Sequence, residues 1–359
     1  MLDFEYSASP ARVVFGLGTA ERKLGGVVDE LGVRRVLVVV TEREEPLARR
    51  LVAPFAEQVA GFFTDVRPHV PVEAAEDARA TAAWYDADAV LSIGGGSTTG
   101  TAKAVSLTTG LPIVAVPTTY AGSEVTPVWG LTEDGRKTTG VDQRVVPRVV
   151  LYDPALTATL PPALSAVSGL NAAAHCVEAF WGPRANPVTS LLAEEGLRAL
   201  AHGLPGIVHD PGDLDARSGV LYGAWLAGTA FASAGSGLHH TICHVLGGAY
   251  DLPHAETHAI VLPHATALVV SSLPDLDARL AAALGASAGT PAATALAALA
   301  RRLGAPTALR ELGLPEDELP AATRLVAERV PGRSQTELEA VLSAAWRGDL
   351  PVAPLSLAR

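Results

Sequence analysis

The sequence predicts an α/β chain: a Rossmann-like parallel-sheet domain followed by an all-α domain. Three observations carry this. Up to about residue 155, short β-branched runs alternate with amphipathic stretches, the signature of βα units wound into a parallel sheet. A glycine triplet, Gly94-Gly95-Gly96, joins one such run to a helix-period segment. From Ser165 onward no β-branched run bounded by turns remains, and helix-period segments rich in Ala and Leu take over. Leu160-Pro161-Pro162 mark the change, so the expected domains are residues 1–160 and 161–359.

Taken in order, residues 12–15 read as a short strand, Gly16-Leu17-Gly18 as a turn, and the stretch to Leu31 as an amphipathic helix. RVLVVV, residues 35–40, is continuous and β-branched, as suits a strand buried on both faces. A helix over 45–59, a strand over 61–66 and a helix through Trp84 follow. Then come a strand over 89–93, a helix over 97–107, and strands over 113–116 and near 149–152. In the second half, helices are expected over 165–180, 188–203, 214–248, 255–272, 275–285, 291–303, 316–330 and 335–347.

Composition excludes several classes. The net charge is −11 with no run of Lys or Arg, which excludes a nucleic-acid surface. Mean hydropathy is +0.27, yet the apolar runs are short and broken, so no membrane span is expected. The first residues lack the basic and apolar regions of a signal peptide. The two cysteines, Cys176 and Cys243, form no disulfide framework and point to a reduced, cytoplasmic setting.

The glycine triplet is the clearest phosphate signal. Glycines let backbone N–H groups approach a phosphate, and a helix N-terminus adds its dipole. The pattern is neither GxGxxG nor a P-loop. Ligands of such sheets bind at the C-terminal ends of the strands. Gly94, Gly95, Gly96, Ser97, Thr118 and Thr119 fall on that edge, with Glu42 after the 35–40 run. Glu42 can accept from a ribose hydroxyl and would repel a 2′-phosphate. Ser123 and Thr126 of the Thr/Ser-rich loop, with Lys103 and Lys137, are further candidate cofactor contacts.

The second constellation is histidine. Six of the ten histidines lie in residues 237–264: His239, His240, His244, His254, His258 and His264. His240 and His244 are one helical turn apart, as are His254 and His258, and earlier Asn171 and His175. Single buried histidines are commonly core residues, but this density predicts that at least three share one site. His239 points about 100° away from His240 and is the weaker member, and His264 is poorly spaced. The expected site is a cleft between the domains, with cofactor on one wall and chemistry on the other.

These residues resemble the iron-containing alcohol dehydrogenase superfamily, whose fold is dehydroquinate-synthase-like. The resemblance covers nearly the whole chain through GGGSTTGTAK, PTTYAGSEVT, LYDPALTATLPP, GLNAAAHCVEAF and HHTICHVLGGAYDLPHAETHAIVLPH. Within it, Tyr120, Gly100, Asn171 and the AETHA of residues 255–259 are most similar to the maleylacetate reductase family. The resemblance implies NAD(P)H-dependent reduction of an enone double bond, turning dianionic maleylacetate into 3-oxoadipate in aromatic catabolism. It also implies a homodimer. By motif, the metal ligands of the alcohol dehydrogenases fall on Asn171, His175, His240 and His254. Asn171 replaces an anionic oxygen by a neutral amide, leaving a bound divalent ion with more uncompensated charge. The expectation is therefore NADH, with NADPH second, and no tightly held metal. His244 or His254 would donate the proton; His175, His240 and His258 would face the substrate's carboxylates or the developing enolate, with Asn171 as a hydrogen-bonding amide. The alternatives are a metal-dependent alcohol dehydrogenase of the same superfamily, a lyase of the dehydroquinate-synthase type, and a non-catalytic nucleotide-binding protein.

Overall fold

A computed structural model describes residues 4–133 and 136–351, and of residues 136 and 137 the backbone only. The described chain forms two compact units: Ser7–Leu160, and a second that holds residues 161–351 with the described residues before Ser7.

The first unit contains β1 (Arg12–Phe15), α1 (Thr19–Leu31), β2 (Val36–Val39), α2 (Glu45–Val52), β3 (Val59–Phe63), α3 (Val72–Trp84), β4 (Ala89–Gly94) and α4 (Gly96–Thr109). β5 (Ile113–Pro117), β6 (Val128–Glu133), β7 (Arg136–Val141) and β8 (Val149–Tyr152) follow. Six strands form one sheet in the order β1-β8-β5-β4-β2-β3, every neighbour parallel. The sheet is covered on both faces, which is why its central strands β2, β4 and β5 are buried at every position and almost wholly apolar. Val36, Val38, Leu91 and Ile93 face a core shared with Leu24 and Val28 of α1 and Leu51 of α2. Leu37, Val39 and Val90 face the opposite core, with Ala78 of α3 and Val105 of α4. Asp153, just past β8, ties the sheet to α1: its buried carboxylate accepts the N–H groups of Gly18 (2.9 Å) and Ala20 (3.1 Å).

Two differences from the sequence reading have local causes. The helix over 45–59 stops at Val52 because Pro54 cannot continue it; residues 53–58 form a 3₁₀ turn, and β3 starts two residues early. β6 and β7, which periodicity does not separate from loop, pair as an antiparallel hairpin. Its first strand is half-buried throughout its centre, so it carries no clean apolar alternation.

Among the described residues, the regular elements of the second unit are all helices: α5 (Pro162–Ala179), α6 (Pro187–His209), α7 (Leu214–Ala234), α8 (Leu238–Tyr250), α9 (His254–Val270), α10 (Pro274–Ala283), α11 (Ala292–Arg302), α12 (Leu319–Ala327) and α13 (Gln335–Arg347). Asn186 and Ser334 form capping boxes at the starts of α6 and α13. The segment expected as one helix over 214–248 is two. Gly235, at φ +84°, ends α7, and the chain turns before α8. Ile242, Val245 and Leu246 of α8 and Ile260, Val261 and Leu268 of α9 pack into a core with α12 and α13. That core leaves the other faces of α8 and α9 to histidine. Among the described residues, no helix is long and apolar enough to cross a membrane.

His264 on α9 belongs to a separate environment, with Arg301 and Asp349 beside it. Burial pushes its pKa down from 6.5 to about 4; Asp349 opposes this and Arg301 adds to it. An unfolded chain therefore takes up this proton first as the pH falls. The stability contributed is complete above pH 6.5 and is lost as pH falls toward 4, by about 1.4 kcal/mol per unit of pKa difference. In urea titrations across that window, His264→Gln is expected to flatten the acid-side loss. A variant with the wild-type slope would rule His264 out as its source.

Candidate active site

In the first unit, chain connectivity reverses at β2: β3 lies on one side of it and β4 on the other. Ligand crevices open at the C-terminal ends of strands flanking such a reversal. Glu42 is exposed in the 3₁₀ turn Glu42–Glu44 that follows β2. Glu44, which the sequence reading passed over, is half-buried. Its carboxylate accepts from the Thr118 hydroxyl at 2.7 Å and the Thr41 hydroxyl at 3.1 Å, so one acid links the ends of β2 and β5. Gly94 sits at φ +150°, and a Cβ there would meet the Thr98 hydroxyl at 2.5 Å and Glu44 Oε2 at 3.0 Å. Gly95 packs against Thr119, and a Cβ on Gly96 would lie 3.3 Å from that of Ala121. Ser97 is half-buried in the first turn of α4, and Gly95 at its start carries no side-chain cap. The turn thus presents a bare helix N-terminus, suited to a phosphate.

Lys103 is not available to a cofactor. It is fully buried, and its ammonium donates to the carbonyls of Ser123 (2.6 Å), Thr126 (2.8 Å) and Val128 (2.8 Å) and to the Thr126 hydroxyl (3.2 Å). Burial pulls its pKa down to about 7, with Glu124 pulling it up. Glu124 is itself buried, which raises its pKa, and it accepts from the Tyr152 hydroxyl at 2.6 Å. Lys103 therefore fixes the loop that carries Ser123 and Thr126. Thr126 is buried and its hydroxyl is spent inside that loop, donating to Ser123 O. Ser123 is half-buried. Tyr120 is wholly buried, and its hydroxyl donates to Thr157. The side chain of Lys137 lies outside the described residues.

In the second unit, six imidazoles form one connected cluster. His175 stacks on His240 with ring centres 5.0 Å apart, and Phe231 lies 4.6 and 4.5 Å from these two rings. His258 is 4.6 Å from His240, 4.8 Å from His239 and 4.2 Å from His254. His244 lies 5.9 Å from His240 and 6.0 Å from His254. His175, His239, His240 and His258 are buried, His254 is half-buried, and His244 is exposed. His264 stands outside the cluster.

Burial is the main cause that pushes the pKa of His175, His240 and His258 well below 6.5, and neighbouring histidines add to it. These rings are neutral at neutral pH. They therefore offer lone pairs or single N–H groups rather than positive charges. His239 is also pushed down, to about 4, and its Nε2 meets the His258 carbonyl at 3.1 Å.

The sequence reading missed Glu178. It lies three residues past His175 and seven past Asn171, on one face of α5, and that spacing was the available signal. Glu178 is wholly buried and touches His240 Nδ1 through Oε2. Burial raises its pKa, against the opposing pull of His239 and of three backbone amides.

The N-terminal part matches the iron-containing alcohol dehydrogenase family model over residues 10–154, and the rest matches the C-terminal model of the Fe-containing alcohol dehydrogenase family over residues 165–338. A maleylacetate reductase from Sphingobium indicum is 49% identical, covering 90% of this chain and 91% of its own length. The solved maleylacetate reductase of Rhizobium sp. superposes with a TM-score of 0.93 at 44% identity, over 98% of this chain and all of that one. That of Agrobacterium tumefaciens gives 0.93 at 43% identity with the same coverage.

These family matches overturn the expectation of a metal-free centre, because both models describe iron-containing enzymes and so indicate an iron cofactor. The local chemistry fits one. Asn171 Oδ1, His175 Nδ1, His240 Nε2 and both ring nitrogens of His258 are buried without a protein partner. His239, His240 and His258 each offer a ring nitrogen within 4.8 Å of the others. A neutral amide at Asn171 does not leave the centre without a carboxylate nearby. Glu178, buried behind His240, supplies one.

Proposed function

This chain belongs to the iron-containing alcohol dehydrogenase family, and from its close reductase relatives we infer that it is a maleylacetate reductase, an oxidoreductase. It reduces the carbon–carbon double bond of a small dianionic enone, consuming one NAD(P)H and one proton to give 3-oxoadipate. The supporting observation in the structure is the set of buried, unpartnered polar atoms on Asn171, His175, His240 and His258.

Charge builds on the ketone oxygen as hydride reaches the β carbon, and the α carbon must then gain a proton. His244 and His254 are the cluster rings open to solvent, so they can recharge between turnovers and supply that proton. Asn171, His175 and His240 would hold the iron, with the set completed by His254, where the family motif puts the fourth ligand, or by His258, whose ring nitrogens are buried without a protein partner; when bound, the iron supplies Lewis-acid polarisation of a carbonyl. Phe231, stacked on the His175 ring and tilted against that of His240, limits water at the buried end.

Gly94, Gly95, Gly96 and Ser97 bind the dinucleotide's phosphates through backbone N–H groups, flanked by Thr118 and Thr119. Glu42 and Glu44 favour NADH by repelling a 2′-phosphate. Gly94→Ala forces a side chain against Thr98 at a backbone angle that side chains rarely adopt. It is expected to raise the Kd for NADH by about tenfold, since about 1.4 kcal/mol is one decade. Unchanged NADH affinity in a folded G94A would argue against this turn as the phosphate site.

The enzyme works as a cytoplasmic homodimer in the catabolism of aromatic compounds. Buried free thiols at Cys176 and Cys243 fit a reducing compartment. The deciding assay follows NADH absorbance with maleylacetate and, separately, with simple aldehydes, each with and without chelator. Rapid oxidation with maleylacetate and slow oxidation with aldehydes is the expected result. The reverse preference would make the chain an alcohol dehydrogenase.

A further inference from the structure

The start of α8 is built around the Glu178 carboxylate. Its oxygens accept the backbone N–H groups of Gly237 (3.1 Å), His239 (2.6 Å) and His240 (3.4 Å). These are orphan donors of the first helical turn, and the acid also lies at the positive end of the helix dipole. The approach is close: a Cβ on Gly237 would sit 3.0 Å from Glu178 Oε1. The same carboxylate reaches His240 Nδ1.

The hydrogen bonds then fix two tautomers in sequence. The His258 carbonyl can only accept, so His239 Nε2, 3.1 Å away, carries a proton and donates it. In the neutral ring, His239 Nδ1 is left with a lone pair. His240 Nδ1 therefore faces two acceptors, that lone pair at 3.4 Å and Glu178 Oε2, and must be the protonated nitrogen. The lone pair of His240 is left on Nε2, which is buried and has no protein partner.

We propose that Glu178 is a positioning residue that sets the tautomer and ring orientation of His240, presenting its Nε2 lone pair to a bound metal. The proposal rests on the metal reading given above. A carboxylate behind a ligating imidazole fixes its tautomer and raises its basicity, and loss of such a partner commonly costs 10–100-fold in metal affinity. Glu178 does not touch substrate.

The test combines two measurements. In ¹⁵N-histidine-labelled wild-type protein, the expected spectrum shows His240 as the Nδ1–H tautomer; an Nε2–H tautomer overturns the proposal without any variant. Ferrous iron titrations of wild type and Glu178→Gln, each checked for native far-UV circular dichroism, form the second. A Kd raised by about 10–100-fold in E178Q, with loss of the single His240 tautomer, is the expected result. A folded E178Q that binds iron as wild type does and keeps the tautomer overturns the proposal. If E178Q does not fold, the wild-type spectrum decides. Wild-type protein that takes up no iron would sink the metal reading instead, and the tautomer would still decide the role of Glu178.

Discussion

His254→Ala is expected to lower kcat by on the order of 10²-fold or more, the usual worth of a general acid, with His244→Ala producing a loss of the same order. A hundredfold loss corresponds to about 2.7 kcal/mol of transition-state stabilisation. His254 opens α9 directly after Pro253, half-buried, with its ring 4.2 Å from that of His258. His244 stacks with it at 6.0 Å from the exposed side. The four deeper rings cannot carry a proton at neutral pH without a large desolvation cost, so proton delivery falls to these two. Iron content should be measured in both variants. A slow variant that keeps its iron marks a proton donor, whereas parallel loss of iron and rate marks a ligand. Near-wild-type kcat in both would remove the pair from the mechanism.

Lys103→Met should destabilise the protein by about 3–5 kcal/mol, the cost of removing one partner from a buried charged network. Methionine fills similar space but donates nothing, so the carbonyls of Ser123, Thr126 and Val128 each lose a hydrogen bond from the ammonium. Glu124 also loses its nearby positive charge. At roughly 2–4 °C per kcal/mol for a unit of this size, Tm should fall by on the order of 10 °C. NADH affinity should weaken with it, because the loop from Ser123 to Val128 loses its anchor. A Tm within about 2 °C of wild type, inside the ordinary range for surface changes, would show that the network contributes little.

Much of this was legible from one-dimensional pattern. The strands at 12–15, 113–116 and 149–152 and the helix after the glycine triplet appear where period and turn chemistry put them, because a sheet buried on both faces demands unbroken apolar runs. The pairing of His240 with His244 and of His254 with His258 followed from helical spacing alone. What failed were positions where a side chain's partner is distant in sequence. Lys103 looked like a phosphate ligand because a lysine after a glycine turn is ambiguous until its neighbours are known. Glu178 stayed hidden in the sequence because its partners, at residues 237–240, arrive only when α7 ends at Gly235.

The sequence by itself determined the two-part architecture, the glycine turn and the supply of imidazoles, since all three depend on local period and residue type. Tertiary structure decided which of these groups are charged and which atoms are left without a partner. Those properties depend on burial and on hydrogen bonds between segments some sixty residues apart, and no local pattern encodes them.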